Sequence, residues 1–136
     1  MIVPVSIANG MGQVVFSPLA QGILTGKYKP GQAIPEDSRA ANKEISSGIQ
    51  KYLSNERLLE VVQELGEFAN HLDINLPQLA LAWILHQPGI SSAIIGASRP
   101  EQVEDNVRAV DVELTDEILK GINEALMPVS NFGPRN

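Results

Sequence analysis

The 136-residue chain carries 43% hydrophobic residues, no cysteine, and 16 acidic against 10 basic side chains for a formal net charge of -6. That length suits one ordinary domain with a modest core; the lack of cysteine excludes disulfides and thiolate metal sites, and the acidic balance argues against a nucleic-acid backbone as the main partner. No apolar run approaches the roughly 20 residues that cross a bilayer, and no charged-then-apolar export signal opens the chain, so the expected location is cytoplasmic.

Residues 1–12 (MIVPVSIANGMG) are a lead-in without a clear element: Val3 and Val5 alternate, Pro4 is awkward in a central strand, and Asn9-Gly10 signals a turn. Residues 13–128 form the body of the domain. Gln13 to Ser17, with Val14, Val15 and Phe16 consecutive, reads as a buried strand of the parallel-sheet kind, ended by Ser17-Pro18. From Pro18 to Gly48, the glycines at 22, 26, 31 and 48 and the prolines at 18, 30 and 35 argue against any regular element of length. A loop of that size is usually functional or mobile.

From Asn55 to Leu72 the apolar residues Leu58, Val61, Val62, Leu65, Phe68, Ala69 and Leu72 recur at three- and four-residue spacing, which predicts an amphipathic helix with Ser54 as its cap. Asp73 to Leu76 turn the chain. Pro77 then opens a more apolar and more buried helix over 78–87, stopped by Pro88-Gly89. Ser92 to Ile95 reads as the second strand. A helix follows from Arg99 or Pro100 to Ala109, and Thr115 caps a last helix carrying Ile118, Leu119, Ile122 and Leu126, closed by Pro128. The tail, residues 129–136, is polar and expected to fray.

Strands separated by helices predict an α/β fold with parallel pairing through right-handed crossovers, and in such folds ligands sit at the carboxyl ends of the strands. Those ends are Ser17-Pro18-Leu19-Ala20 and Gly96-Ala97-Ser98-Arg99. At the second, Ser98 with Glu101 three residues on has the spacing of a capping box. A helix start there exposes backbone N–H groups and the positive end of a dipole, with the Ser98 hydroxyl and Arg99 guanidinium alongside, a combination that suits a phosphate. Gln102, Asp105 and Asn106 share one helix face and could read the edge of a base next to it. The bland alternative is a capped helix with a solvated face.

The stretches VVFSPLAQGILTGKY (Val14 to Tyr28), LPQLALAWILHQPGISSAIIGAS (Leu76 to Ser98) and RPEQVEDN (Arg99 to Asn106) strongly resemble the C-terminal part of the aldo-keto reductases, in the branch of the potassium-channel β-subunits and their bacterial relatives. The resemblance covers almost the whole chain from Gln13 onward. It implies part of a (β/α)8 TIM barrel, with this chain supplying about strands 7 and 8 and their helices, and NADPH bound in an extended pose. Carried across by position, Phe16 would stack on the nicotinamide. Ser17, Pro18, Leu19, Ala20 and Gln21 would follow the ribose and pyrophosphate, with Gly22 admitting close backbone approach. Lys27 would reach phosphate oxygens, and Arg39 would cross the cofactor as part of a belt. Gly96, Ser98 and Arg99 resemble the 2′-phosphate site, and Gln102, Asp105 and Asn106 the adenine side. Asp105 stands where many relatives have Glu, which implies a looser contact with the adenosine.

The resemblance also implies a Tyr proton donor supported by Lys, Asp and His on earlier strands, and none of the four aligns here. Tyr28 follows the strand-seven loop and Tyr52 precedes a helix. His86 suits a helix C-terminus, and His71 a surface. No catalytic residue and no metal ligand is therefore assigned. The expected function is the NADP(H)-binding portion of an aldo-keto reductase, a truncated product or an excised fragment that cannot reduce a carbonyl alone. The alternative is a non-catalytic binding or assembly module, channel β-subunit-like or oligomer-forming, because a two-stranded sheet leaves open edges that recruit another chain.

Overall fold

The computed structural model describes residues 2–42 and 47–132. Its sheet has two strands, β1 (Gln13–Phe16) and β2 (Ile90–Ile94), paired parallel with Val14 opposite Ser92, Val15 opposite Ala93 and Phe16 opposite Ile94. The parallel pairing expected from the element order is present. The second strand begins and ends earlier than the 92–95 reading, because a register shift between Gln13 and Val14 brings Ile90 into the ladder. There Ser91 bulges out, and a Cβ on Gly12 would strike its side chain.

The helices are α1 (Ile2–Ala8), α2 (Ser47–Leu53), α3 (Glu56–His71), α4 (Leu76–His86), α5 (Pro100–Val107) and α6 (Asp116–Leu126), joined by 3-10 turns at 20–25, 39–41, 108–111 and 127–132. The lead-in is thus helical over most of its length, with the Asn9-Gly10 turn after it. The long loop is more structured than its glycines and prolines suggested. It contributes Ile23, Tyr28 and Ala40 to the core, and the Tyr28 hydroxyl accepts a long hydrogen bond from the Ala40 N–H (3.4 Å). A loop with buried side chains can hold a fixed shape without a ladder. The tail is also partly structured: Val129 is buried inside the 127–132 turn, while 133–136 lie outside the described residues.

The core is helical. Leu59, Val61, Val62, Leu65 and Ala69 of α3 meet Leu76, Leu79 and Ala82 of α4 and Ile122 of α6. The cap of α3 is Asn55, whose Oδ1 accepts from the Leu58 N–H (3.0 Å), while the Ser54 hydroxyl turns back to donate to the Lys51 carbonyl (3.2 Å). Helix α4 starts at Leu76 with a reciprocal box: Asn75 Oδ1 accepts from the Gln78 N–H (2.9 Å) and Gln78 Oε1 from the Asn75 N–H (3.0 Å). Thr115 caps α6 as expected, accepting from the Ile118 N–H (3.3 Å). His71 and His86 are both exposed, each in the last turn of its helix.

Helix α6 crosses α3 through Gly121, where a Cβ would lie 2.6 Å from the Phe68 ring. On α3, Gly66 faces open space. The two glycines should answer substitution with opposite signs. Gly121→Val is expected to lower stability by about 1–3 kcal/mol through overpacking, and Gly66→Ala to raise it by up to about 1 kcal/mol through helix propensity. Paired thermal melts check both; a Gly121→Val melt matching that of the parent would mean that α6 does not cross α3 at this residue.

Candidate functional site

Parallel pairing of Phe16 with Ile94 sends both strands out of the same end of the sheet, so Ser17–Gly22 and Ile95–Arg99 leave side by side. On the first segment, Phe16 is 82% exposed. The backbone then turns left-handed at Ser17 (φ 55°), Ala20 (φ 47°), Gln21 (φ 59°) and Gly22 (φ 98°). Three of these four carry a Cβ, and non-glycine residues seldom accept that region without support. The support is visible. Ala20 and Gly22 donate to the Ser17 and Leu19 carbonyls (3.0 and 2.9 Å), Ile23 is buried in the core, and the Gln21 amide lies against Gly48 of α2 so closely that a Cβ there would strike it. Strain held in place by surrounding contacts at the end of a strand is a common mark of a ligand site.

On the second segment, Gly96, Ser98 and Arg99 are exposed. Ser98 is not the cap of α5 and Glu101 is not its partner; the capping residue is Arg99 and the reaching side chain is Gln102. Gln102 Oε1 accepts from the Ser98 N–H (2.8 Å), the Ser98 hydroxyl (3.2 Å) and the Arg99 N–H (3.3 Å). An amide oxygen three residues into the helix satisfies donors that a shorter capping side chain would otherwise have to meet. Gln102 and Asp105 are half-buried and Asn106 is 9% exposed, so the face these three share turns largely towards the protein. The Asp105 carboxylate lies 3.8 Å from the exposed Arg108 guanidinium.

Two further basic residues belong to the loop. Lys27 is exposed with its Nζ 5.7 Å from the Tyr28 ring centroid, and a Cβ on Gly22 would lie 3.9 Å from its Cε. Arg39 is exposed in the 39–41 turn, which packs on α2. Lys27, Arg39 and Arg99 make no ion pair among the described residues, whereas Arg57, Arg108 and Lys120 do. The structure therefore brings Phe16–Gly22, Lys27 and the Ser98–Arg99 segment towards one end of the sheet; for Arg39 it shows packing on α2 alone.

Gln78 was not singled out in the sequence, although the Asn75-x-x-Gln78 spacing that marks a capping box was there to be read. It is 6% exposed, and besides closing that box its Nε2 donates to the Asp105 carbonyl of α5 (2.8 Å).

Among the described residues, two concavities open to solvent bear on the site. One, of about 620 Å³, is lined by Val3 and Ile7 of α1, Val15, Phe16, Ser17 and Pro18 at the end of β1, and Trp83 with its neighbours on α4. The Trp83 indole N–H is buried with no partner among the described residues. The other, of about 420 Å³, is walled by Glu60, Glu64 and Glu67. Its one cation, Arg57, already donates to Glu60 (2.9 Å) and Glu64 (3.2 Å), and the Glu60 hydrogen bond raises the guanidinium pKa above its ordinary value. That wall repels an anion, so of the two only the first lies beside groups that suit one. Among the described residues no group of three or more His, Asp or Glu is placed to hold a metal ion, and no helix is long and apolar enough to cross a membrane.

A model of the aldo/keto reductase family matches residues 1–127. The chain belongs to this family. Among its relatives, a putative voltage-gated potassium channel subunit beta of Schizosaccharomyces pombe is 42% identical across 98% of this chain and 38% of that protein. An L-glyceraldehyde 3-phosphate reductase of Escherichia coli strain K12 is 42% identical across 76% of this chain and 30% of its own length. A probable channel subunit beta of Arabidopsis thaliana is 42% identical across 80% and 33%. The chain spans about a third of the length of the curated relatives it matches. The family match includes residues 1–12 along with the body.

In this aldo-keto reductase chain the start of α5 depends on the Gln102 amide oxygen. Gln102→Leu should cost about 1 kcal/mol and speed hydrogen exchange at Ser98 and Arg99, while Gln102→Glu, which keeps an acceptor, should leave both close to the parent. Equal behaviour of the two variants would remove Gln102 from that role.

Proposed function

We propose that this chain is the NADP(H)-binding portion of an aldo-keto reductase barrel, with β1 and β2 as its seventh and eighth strands. The single observation that carries the reading is the parallel register of Phe16 with Ile94, which sets Ser17 and the Ser98–Arg99 segment at one end of the sheet. In this reading Phe16, with most of its surface bare, offers a ring face to the nicotinamide. The left-handed run from Ser17 to Gly22 curves the backbone along ribose and pyrophosphate, as turns of this kind do around anions. Lys27, Arg39 and Arg99 have no carboxylate partner among the described residues and supply positive charge to the phosphates. Ser98, with Gly96 leaving room beside it, adds a hydroxyl that turns from Gln102 Oε1 to donate to the 2′-phosphate. Gln102 keeps Nε2 for the adenine side, next to Asp105, and Asn106 supports that side from beneath.

Bound there, NADPH supplies the hydride that reduces a carbonyl. The residues of this chain bind and orient it, and none is assigned as proton donor. Tyr28 is 2% exposed and its hydroxyl faces the Ala40 N–H, away from solvent. A cytoplasmic location is part of the same proposal.

Binding is tested by titrating NADPH with the pure chain and following nicotinamide fluorescence. Loss of a charge-assisted contact in Arg99→Ala should weaken binding by about 10- to 100-fold, and neither form should oxidise NADPH when an aldehyde is added. Arg99→Ala binding as tightly as the parent would remove the 2′-phosphate role, and aldehyde-dependent turnover would overturn the non-catalytic reading.

A second reading, an assembly module, is favoured by one specific observation. Val14, Phe16 and Ile94 leave one face of the sheet bare at 62%, 82% and 59% exposure, and parallel sheets are almost always covered on both faces. Among the described residues no further strand pairs with β1 or β2, so both outer edges are open as well. In this reading a second polypeptide covers the face. Sedimentation velocity on the chain should then show a species heavier than one copy, and a single folded monomer at all concentrations would count against it.

A further inference from the structure

We infer that Gln78 is a positioning residue for the 2′-phosphate end of the proposed cofactor site, and so sets the preference for NADP(H) over NAD(H). The inference rests on the binding reading above and deepens it.

Gln78 closes two helix ends at once. At the start of α4 its Oε1 accepts from the Asn75 N–H (3.0 Å) while its own N–H donates to Asn75 Oδ1 (2.9 Å). Its Nε2 then reaches 27 residues along the chain to donate to the Asp105 carbonyl (2.8 Å). Asp105 sits in the last turn of α5, where carbonyls have lost their partners within the helix. A side chain with one acceptor and two donors can satisfy both ends, and Gln78, 6% exposed, does so where water cannot easily replace it.

Helix α5 has only eight residues, too few for independent stability. Gln102 fixes its start, Gln78 fixes its end to α4, and Asn106 and Ala109 bury their side chains beside that tether. The direction in which Ser98 and Arg99 project follows from where α5 lies on α4. Releasing the Asp105 carbonyl therefore loosens the groups that meet a 2′-phosphate, while Phe16 to Gly22, held by the loop and α2, keep their place.

Gln78→Glu separates the two functions of the side chain. A carboxylate still accepts from the Asn75 N–H and suits a helix start, but it sets an acceptor against the Asp105 carbonyl. Gln78→Met is the neutral counterpart, which removes the tether without adding charge. Hydrogen exchange in both variants of the full chain is expected to speed up by about fivefold or more across α5, the loss of one hydrogen bond, with α4 unchanged in Gln78→Glu. The Kd for NADPH is expected to rise by a similar factor and the Kd for NADH by distinctly less, since both nucleotides share the adenine-side residues of α5 but only NADPH has the 2′-phosphate. Unchanged exchange in α5 overturns the tether, and equal losses of NADPH and NADH affinity overturn its role in selectivity. A parent chain that binds neither nucleotide sinks the cofactor reading, and with it the selectivity role, while the exchange comparison still decides the tether.

Discussion

The pairing of Phe16 with Ile94 in a parallel ladder is the constraint on which the rest of this structure depends. Parallel neighbours need a crossover between them, and here residues 17–89 provide it, with a packed loop, α2, α3 and α4 filling the path. Because both strands run the same way, their exits coincide. Groups far apart in sequence, the Ser17–Gly22 turn and the Ser98–Arg99 start of α5, are brought to one end of the sheet by the backbone hydrogen bonds of the ladder. An antiparallel pair would have sent them to opposite ends of the sheet.

What surrounds that pair explains how so small a sheet holds a defined site. The helical core of α3, α4 and α6 carries the apolar burial, and the sheet rests on α4. The loop after β1 is pinned by Ile23 and Tyr28, which lets Ser17, Ala20 and Gln21 keep left-handed backbone that an unsupported loop would relax. The segment after β2 is held by polar contacts instead, through Gln102 at one end of α5 and Gln78 at the other. One half of the candidate site is therefore set by packing and the other by hydrogen bonds, so the second is the more sensitive to single substitutions. Solvent-facing Val14, Phe16 and Ile94 show where this arrangement leaves apolar surface for something else to cover.

Much of this was legible in the sequence because periodicity reports burial. The three- and four-residue spacing from Leu58 to Leu72 marked α3 nearly to its ends, and the strand–helix order marked the parallel pairing. Val14-Val15-Phe16 marked the place of β1 but not its burial: the strand is not buried, and Val14 and Phe16 face solvent because nothing among the described residues covers that side of the sheet. Caps were less legible, since neighbouring residues compete for one role. Asn55 rather than Ser54 caps α3, and Gln102 rather than Glu101 reaches back at α5, because each sits where its oxygen meets the free N–H groups. The loop could not be read from its glycines and prolines. Those residues fix where the chain turns and say nothing of Tyr28 and Ala40 being buried by contacts distant in sequence. Gln78 escaped notice for a similar reason: its second partner, Asp105, is a backbone carbonyl on another helix, and no local pattern encodes it.

The central claim, that the shared exit of the two strands forms one nucleotide-binding surface, is tested most directly by mapping backbone amide chemical shifts while NADPH is added to the isotopically labelled chain. The structure predicts perturbations concentrated in Phe16–Gly22 and Gly96–Gln102, saturating together with one Kd. Shifts confined to the Glu60–Glu67 surface, or two segments responding with separate affinities, would contradict it.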